Sequence, residues 1–160
     1  MAAAGTWKSA SVVTSATPQR VWSVYQALRW QEWDHDIASM CPVAGGASEG
    51  LVDGSSVQIT MAKDGKTHTA TIFDVHEARC FSYRAPLPGG CQMIAVHTLE
   101  PVGGADDGAD GGGGAVSTRI THTFQFSGML AGLFRWMTAS YVQNGLDTNT
   151  VALKALAERD

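Results

Sequence analysis

The chain has 160 residues, of which 44% are hydrophobic and 16% are charged, and its formal net charge is -4. This size predicts one domain, residues 1–160, with a sizeable core. The acidic balance argues against a nucleic-acid partner, and no apolar run is long enough for stable membrane insertion. Because residues 1–6 lack the basic and long apolar parts of a secretory signal, we expect a cytoplasmic protein.

The first elements are a strand and two short helices. Residues 7–14 form a strand-like run with two valines near its end. Thr17 is a suitable N-cap, and Pro18 suits a first helical position because its missing N–H is not needed there. Apolar residues then recur at helical spacing, which predicts a helix. A second short helical piece is predicted at residues 30–33, and a loop with Pro42 and several glycines follows.

Strands separated by turn signals come next. Residues 55–62 alternate, with Val57, Ile59 and Met61 on one face. Asp64 and Gly65 form a favourable hairpin turn. In residues 67–76, Phe73 and Val75 share one face, and we expect the opposite face, with His68, Asp74 and His76, to meet solvent. A shorter strand is predicted at residues 81–85.

A long hairpin carries two histidines. Its strands are predicted at residues 91–100 and 118–126, and the connection at residues 103–114 is rich in glycine and aspartate, so we expect a flexible loop. His97 and His122 each lie on a mainly apolar strand face, which predicts that both point inward. If the hairpin closes near Glu100 and Thr118, the two histidines lie opposite each other.

The chain ends in a long helix, predicted at residues 130–157. Its predicted inward side is apolar at both ends and less apolar between Tyr141 and Thr148. Either this helix faces a partly polar cavity, or Asn144 and Gly145 permit a bend. The residues assigned to that side are Leu130, Leu133, Phe134, Met137, Tyr141, Thr148, Ala152 and Leu156.

Four segments together resemble the SRPBCC superfamily, the START-like group. They are VVTSATPQRVW at residues 12–22, WQEWD at 30–34, HTLEP at 97–101 and TRITH at 118–122. The resemblance favours the polyketide cyclase/dehydrase-like branch and spans nearly the whole chain except the glycine-rich loop. It implies an α+β helix-grip fold, in which a curved antiparallel sheet wraps around the long C-terminal helix and two short helices follow the first strand.

The resemblance also implies a cavity between sheet and helix for a small hydrophobic or aromatic ligand. His97 and His122 are the candidate polar contacts, and by resemblance Trp33 and Met40 could gate the entrance. Fold likeness does not identify a reaction, because catalytic residues are not shared across this superfamily. The candidate apolar contacts are Trp33, Met40, Met93, Phe124, Met137 and Tyr141.

Three functions stay open at this point. The first is ligand binding, including lipid binding. The second is a cyclase or dehydratase in which His97 or His122 acts as catalytic general acid or base. The third is an interaction protein whose interior is filled by Trp22, Phe73 and Phe134.

No metal or cofactor is expected. Asp34, His35 and Asp36 are adjacent, and neighbouring residues rarely converge on one ion, so capping by an aspartate is favoured over a metal site. The three cysteines show no C-x-x-C spacing. No heptad pattern is present, and we expect a monomer or dimer.

Overall fold

The computed structural model describes residues 7–43, 50–103 and 117–159. The predicted loop at residues 103–114 lies outside the described residues except for Gly103. A short 3-10 helix, Trp30–Glu32, follows the first α-helix. The strands are β1 Lys8–Thr14, β2 Ile37–Pro42, β3 Ser56–Met61, β4 Thr67–His76, β5 Cys80–Leu87, β6 Cys91–Val102 and β7 Ser117–Ser127, and the α-helices are α1 Pro18–Gln26 and α2 Ala131–Ala157.

The seven strands form one antiparallel sheet in the order β1-β7-β6-β5-β4-β3-β2. Helix α2 packs against β1 and β7. This is the α+β helix-grip fold that the sequence predicted. Within the described part of the chain, no helix combines the length and the hydropathy that crossing a membrane requires.

Helix α1 begins as its sequence predicted. The Thr17 hydroxyl accepts a hydrogen bond from the Arg20 amide at 3.3 Å, and Pro18 occupies the first turn. The side chains of Val21, Trp22 and Tyr25 are buried. The cap and the apolar stripe therefore place Tyr25 inside the protein.

Strand β2 was not predicted, because residues 37–42 lack the alternation of a half-buried strand. Only Ile37 and Met40 are buried, three positions apart, and the pairing with β3 shifts between Ile37 and Ser39. A bulge adds one residue and breaks the period of two. The chain after the 3-10 helix therefore forms the edge strand of the sheet before it enters the predicted loop.

The solvent exposure predicted for His68, Asp74 and His76 is confirmed, but the faces assigned to β4 were wrong in part. Ala70 and Ile72 are buried, and His68, on their side of the strand, lies exposed at the edge of a cavity rather than on the outer face. The Arg84 guanidinium lies 5.5 Å from the centre of the Phe73 ring. Both faces of β4 carry apolar residues, and a bulge between Phe73 and His76 interrupts the alternation, so the sequence period was ambiguous.

The predicted inward side of α2 was also wrong in part. The buried side chains all lie in its C-terminal half: Leu146, Asn149, Thr150, Leu153 and Ala157. Leu133, Met137 and Thr148 are exposed. One residue corresponds to a rotation of about 100° around a helix, so assigning Thr148 rather than Asn149 to the inner side turns the predicted stripe away from the sheet.

Candidate functional site

A cavity of about 360 Å³ lies between the inner face of the sheet and the part of α2 from Phe134 to Asn149. Its walls come from the segment after the 3-10 helix, from β2 to β7 and from α2. The lining residues are Asp34, Asp36, Ile37, Ile59, Met61, His68, Tyr83, Ala85, Pro86, Leu87, Met93, Ala95, His97, His122, Thr123, Phe124, Phe126, Phe134, Thr138, Tyr141, Val142, Gly145, Leu146 and Asn149. The walls are mainly apolar, with polar groups concentrated at two places.

The first polar group is the histidine pair. His97 of β6 pairs directly with His122 of β7, so alternation along both strands turns the two rings inward at the same level. Their ring centres are 4.4 Å apart, and the side chains are only 5% and 2% exposed. The hairpin register thus brings together two residues that are 25 positions apart in sequence.

Hydrogen bonds determine which nitrogen of His122 carries the proton. The Thr150 hydroxyl donates to the Leu146 carbonyl at 2.6 Å, which uses its single proton. The contact of 3.4 Å between Thr150 Oγ1 and His122 Nδ1 therefore has Nδ1 as the donor. Nε2 is then the acceptor, and the Tyr25 hydroxyl donates to it at 2.8 Å. Burial lowers the pKa of His122 to about 3, so the ring is neutral near pH 7.

His97 has an unsatisfied nitrogen. Its ring stacks on Phe81 at 4.4 Å and nearly parallel, and among the described residues Nδ1 is buried with no hydrogen-bond partner. Burial is the main cause that holds the pKa of His97 well below its usual value, and the neighbouring His122 lowers it further. A buried polar atom without a partner is costly, and because this nitrogen has almost no accessible surface, a ligand or a water molecule reaches it only if the His97 ring turns.

The second polar group surrounds Asp34. Its Oδ1 accepts hydrogen bonds from Asn149 Nδ2 at 2.8 Å and from the Asp36 amide at 3.0 Å. Asn149 Oδ1 accepts from the His35 amide at 3.1 Å, which ties this segment to α2. Burial raises the pKa of Asp34 to about 7, although the hydrogen bonds from Asp36 and Asn149 act in the opposite direction.

Asp36 and Tyr141 lie beside this group. The Tyr141 hydroxyl donates to Asp36 Oδ1 at 2.5 Å, and burial together with the Asp36 carboxylate raises the pKa of Tyr141. Asp34 Oδ1 accepts from the amide two residues ahead, which forms a turn after the 3-10 helix. That helix has no side-chain cap, so Asp34 starts the following loop and does not cap the helix.

Only part of the predicted site lines the cavity. The candidates in its walls are Met93, His97, His122, Phe124 and Tyr141. Trp33 and Met40 are instead buried in the hydrophobic core, and Met137 is 65% exposed on α2.

Sequence reasoning missed several wall residues. Ile59 could have been found, because its alternating face was recognised. Asn149 gave no such signal, since it is a polar residue within a predicted helix. Phe134, which one hypothesis assigned to filling the interior, instead lines the cavity.

A possible metal-binding group lies elsewhere. The ligand atoms of Asp74, His76 and Cys80 are within 4.8 Å of one another around the turn between β4 and β5. His76 Nε2 is 3.1 Å from Asp74 Oδ1, so the two side chains already interact without an ion. None of the three lines the cavity.

The curved sheet, the long C-terminal helix and the cavity between them define the class of helix-grip proteins. The sequence profile of the family described as polyketide cyclase / dehydrase and lipid transport matches residues 8–158. The chain therefore belongs to this family, within the SRPBCC superfamily. A search of curated proteins found no match.

Solved structures support the same fold. A hypothetical protein from Helicobacter pylori superposes with a TM-score of 0.71 at 12% identity, covering 94% of this chain and 86% of that one. A START superfamily protein from Mycobacterium smegmatis gives 0.60 at 12% identity, covering 94% and 95%. The protein Ara h 8.0201 gives 0.54 at 17% identity, covering 93% and 95%. At these identities the likeness concerns the fold.

Proposed function

We propose that the protein binds a small hydrophobic or aromatic molecule in the cavity, with His97 supplying a polar contact. The observation that carries this proposal is a mainly apolar cavity of about 360 Å³ whose wall includes the buried side chains of His97 and His122. Ligand sites are typically concave and mainly apolar, with a few polar groups that set orientation. Family membership supports a hydrophobic ligand and leaves its identity open.

Filling the cavity tests the proposal. Ala95 is a buried wall residue on β6, so Ala95→Trp should occupy the space and abolish the thermal stabilisation that aromatic ligands produce. Val96→Trp is the matched control, because the next residue of a strand points to the opposite face. Ala95→Leu is a milder variant that should weaken binding if the tryptophan variant does not fold. Equal stabilisation of wild type and a folded Ala95→Trp variant by the same ligands would contradict the proposal.

A catalytic role for His97 and His122 remains a prediction. Burial keeps both rings neutral, which makes each a weak base near pH 7, although a neutral imidazole retains one donor and one acceptor. Cyclase or dehydratase activity should be lost in His97→Ala and His122→Ala while ligand binding survives. Turnover that is unchanged in both variants would rule out these roles.

A further inference from the structure

The turn between β4 and β5 brings together three side chains of the types that bind metal ions. The ligand atoms of Asp74, His76 and Cys80 lie within 4.8 Å of one another. His76 pairs directly with Cys80 across the two strands, so these side chains are close neighbours. The strand is irregular between Phe73 and His76, and Asp74 there has a φ of 56°. A bulge of this kind can redirect a side chain, and the Asp74 carboxylate meets the His76 ring.

The separations of these atoms fit the edges of a tetrahedral zinc site. Nitrogen and oxygen ligands of one Zn²⁺ ion lie about 3.3 Å apart, and a thiolate lies about 3.6 Å from either of them. The distance of 3.1 Å between Asp74 Oδ1 and His76 Nε2 is within about 0.2 Å of that value. Cys80 Sγ already points toward Asp74, because it donates to the Asp74 carbonyl at 3.6 Å. It needs to approach the other two ligand atoms by about 1.2 Å at most, from 4.8 Å to about 3.6 Å.

Ligand type and charge favour zinc over the other common cations. Thiolate, imidazole and carboxylate are the ligand types that Zn²⁺ takes in proteins, whereas Mg²⁺ and Ca²⁺ prefer about six or more oxygen ligands. The Asp74 carboxylate and the Cys80 thiolate together balance a divalent ion, and the His76 imidazole binds as a neutral ligand. Zinc binding forms a Zn–S bond, breaks the S–H bond of Cys80 and releases that proton to solvent. Glu77 and Arg79 in the same turn are exposed and of opposite sign, so they leave the net charge of the turn unchanged.

The turn is accessible to an ion, and its backbone is held in place. The side chains of His76 and Asp74 are 62% and 57% exposed. The amide of Val75, which lies between these two residues, donates to Asp53 Oδ1 at 3.3 Å. The Arg79 carbonyl, beside Cys80, accepts from the Leu99 amide of β6 at 2.6 Å. An ion can therefore bind through a small movement of one side chain, without rearrangement of the backbone.

We propose that Asp74, His76 and Cys80 form a zinc site at this turn, with a water molecule as the fourth ligand. None of the three residues lines the cavity, so this site is independent of the proposed function. It departs from the expectation of no metal, because strand pairing rather than a linear spacing brings the ligands together. The ion joins the end of β4 to the start of β5, and Zn²⁺ should therefore raise the melting temperature of the protein.

A cobalt titration tests whether Cys80 is a ligand. In the untagged, reduced full chain, one equivalent of Co²⁺ should produce the charge-transfer absorption of a Co²⁺–thiolate bond, and Zn²⁺ should abolish it by displacing Co²⁺. Cys80→Ser should lose this absorption, whereas Cys41→Ser, which removes an exposed thiol on β2, should keep it. Absorption that is absent from the wild type, that persists in Cys80→Ser or that is lost in Cys41→Ser would overturn the proposal.

Zinc affinities test the other two ligands. In isothermal titration calorimetry with Zn²⁺, Asp74→Asn and His76→Ala should each weaken binding at least about 100-fold, because the loss of even an outer partner of a ligand typically costs about 10- to 100-fold. Asparagine tolerates the positive φ at position 74, so this variant keeps the backbone of the turn. The matched controls are Asp64→Asn and His35→Ala, which change exposed residues outside the turn and should leave the affinity unchanged. Unchanged affinity in Asp74→Asn and His76→Ala, or an equal loss in the controls, would overturn the proposal.

Discussion

Replacing Asp34 by asparagine should change how stability depends on pH. In the folded protein, burial raises the pKa of Asp34 from 3.8 to about 7. A raised pKa means that the folded state prefers the protonated form, so stability is lost as pH rises from the unfolded value through the folded one. Asparagine keeps the shape and can keep the hydrogen bonds to Asn149 and the Asp36 amide, but it carries no charge.

The magnitude follows from the difference between the two pKa values. Each tenfold difference in proton affinity is worth about 1.4 kcal/mol, so the ionised form of Asp34 costs the folded state up to about 4 kcal/mol. Asp34 keeps partial contact with solvent, which screens its charge, and we therefore expect about 2–4 kcal/mol. The variant should match wild type near pH 4 and exceed it by that amount near pH 8.

Urea unfolding of both proteins from about pH 4 to pH 8 measures this difference. The wild-type curve alone is not sufficient, because the lowered pKa values of His97 and His122 make stability fall as pH drops below about 6.5. Subtracting the two curves removes the histidine contribution. A difference that does not vary with pH would refute the reasoning.

Three further substitutions test the packing. Tyr25→Phe should lower the free energy of unfolding by about 1–3 kcal/mol, because it leaves His122 Nε2 buried without its donor. Urea unfolding measures this difference, and an unchanged free energy of unfolding would contradict the prediction. Thr17→Ala should cost about 1 kcal/mol through loss of the helix cap, measured in the same way. Gly128→Ala should lower the melting temperature more than Gly54→Ala. Both glycines have a positive φ, but only at Gly128 would a Cβ meet neighbouring backbone, at 2.9 Å.

Local rules predicted much of the fold. The cap at Thr17, the turn at Asp64 and the long hairpin depend on residues close in sequence, and each is found in the structure. Alternation along β6 and β7 also predicted that His97 and His122 face inward opposite each other. Such predictions succeed because period and turn chemistry act within a few residues.

The same local rules gave wrong inward faces for strands that contain a bulge and for the long helix α2. Residues 37–42 and 67–76 each contain a bulge, which changes the side of the sheet that later residues occupy. In α2 the inner side is determined by packing against β1 and β7. This packing buries Asn149 and Leu153, whereas the sequence pattern assigned Thr148 and Ala152 to that side. These outcomes depend on partners that the local pattern does not contain.

The sequence alone determined the order of the elements, the family and the inward histidine pair, because these follow from local periodicity and from recognisable segments. Only the tertiary structure decided which residues share the cavity. Asp34 meets Asn149 across 115 positions of chain, and Gly145 of α2 makes room for Asp36. The raised pKa of Asp34 and the unpartnered nitrogen of His97 both arise from burial, which is a property of the assembled fold.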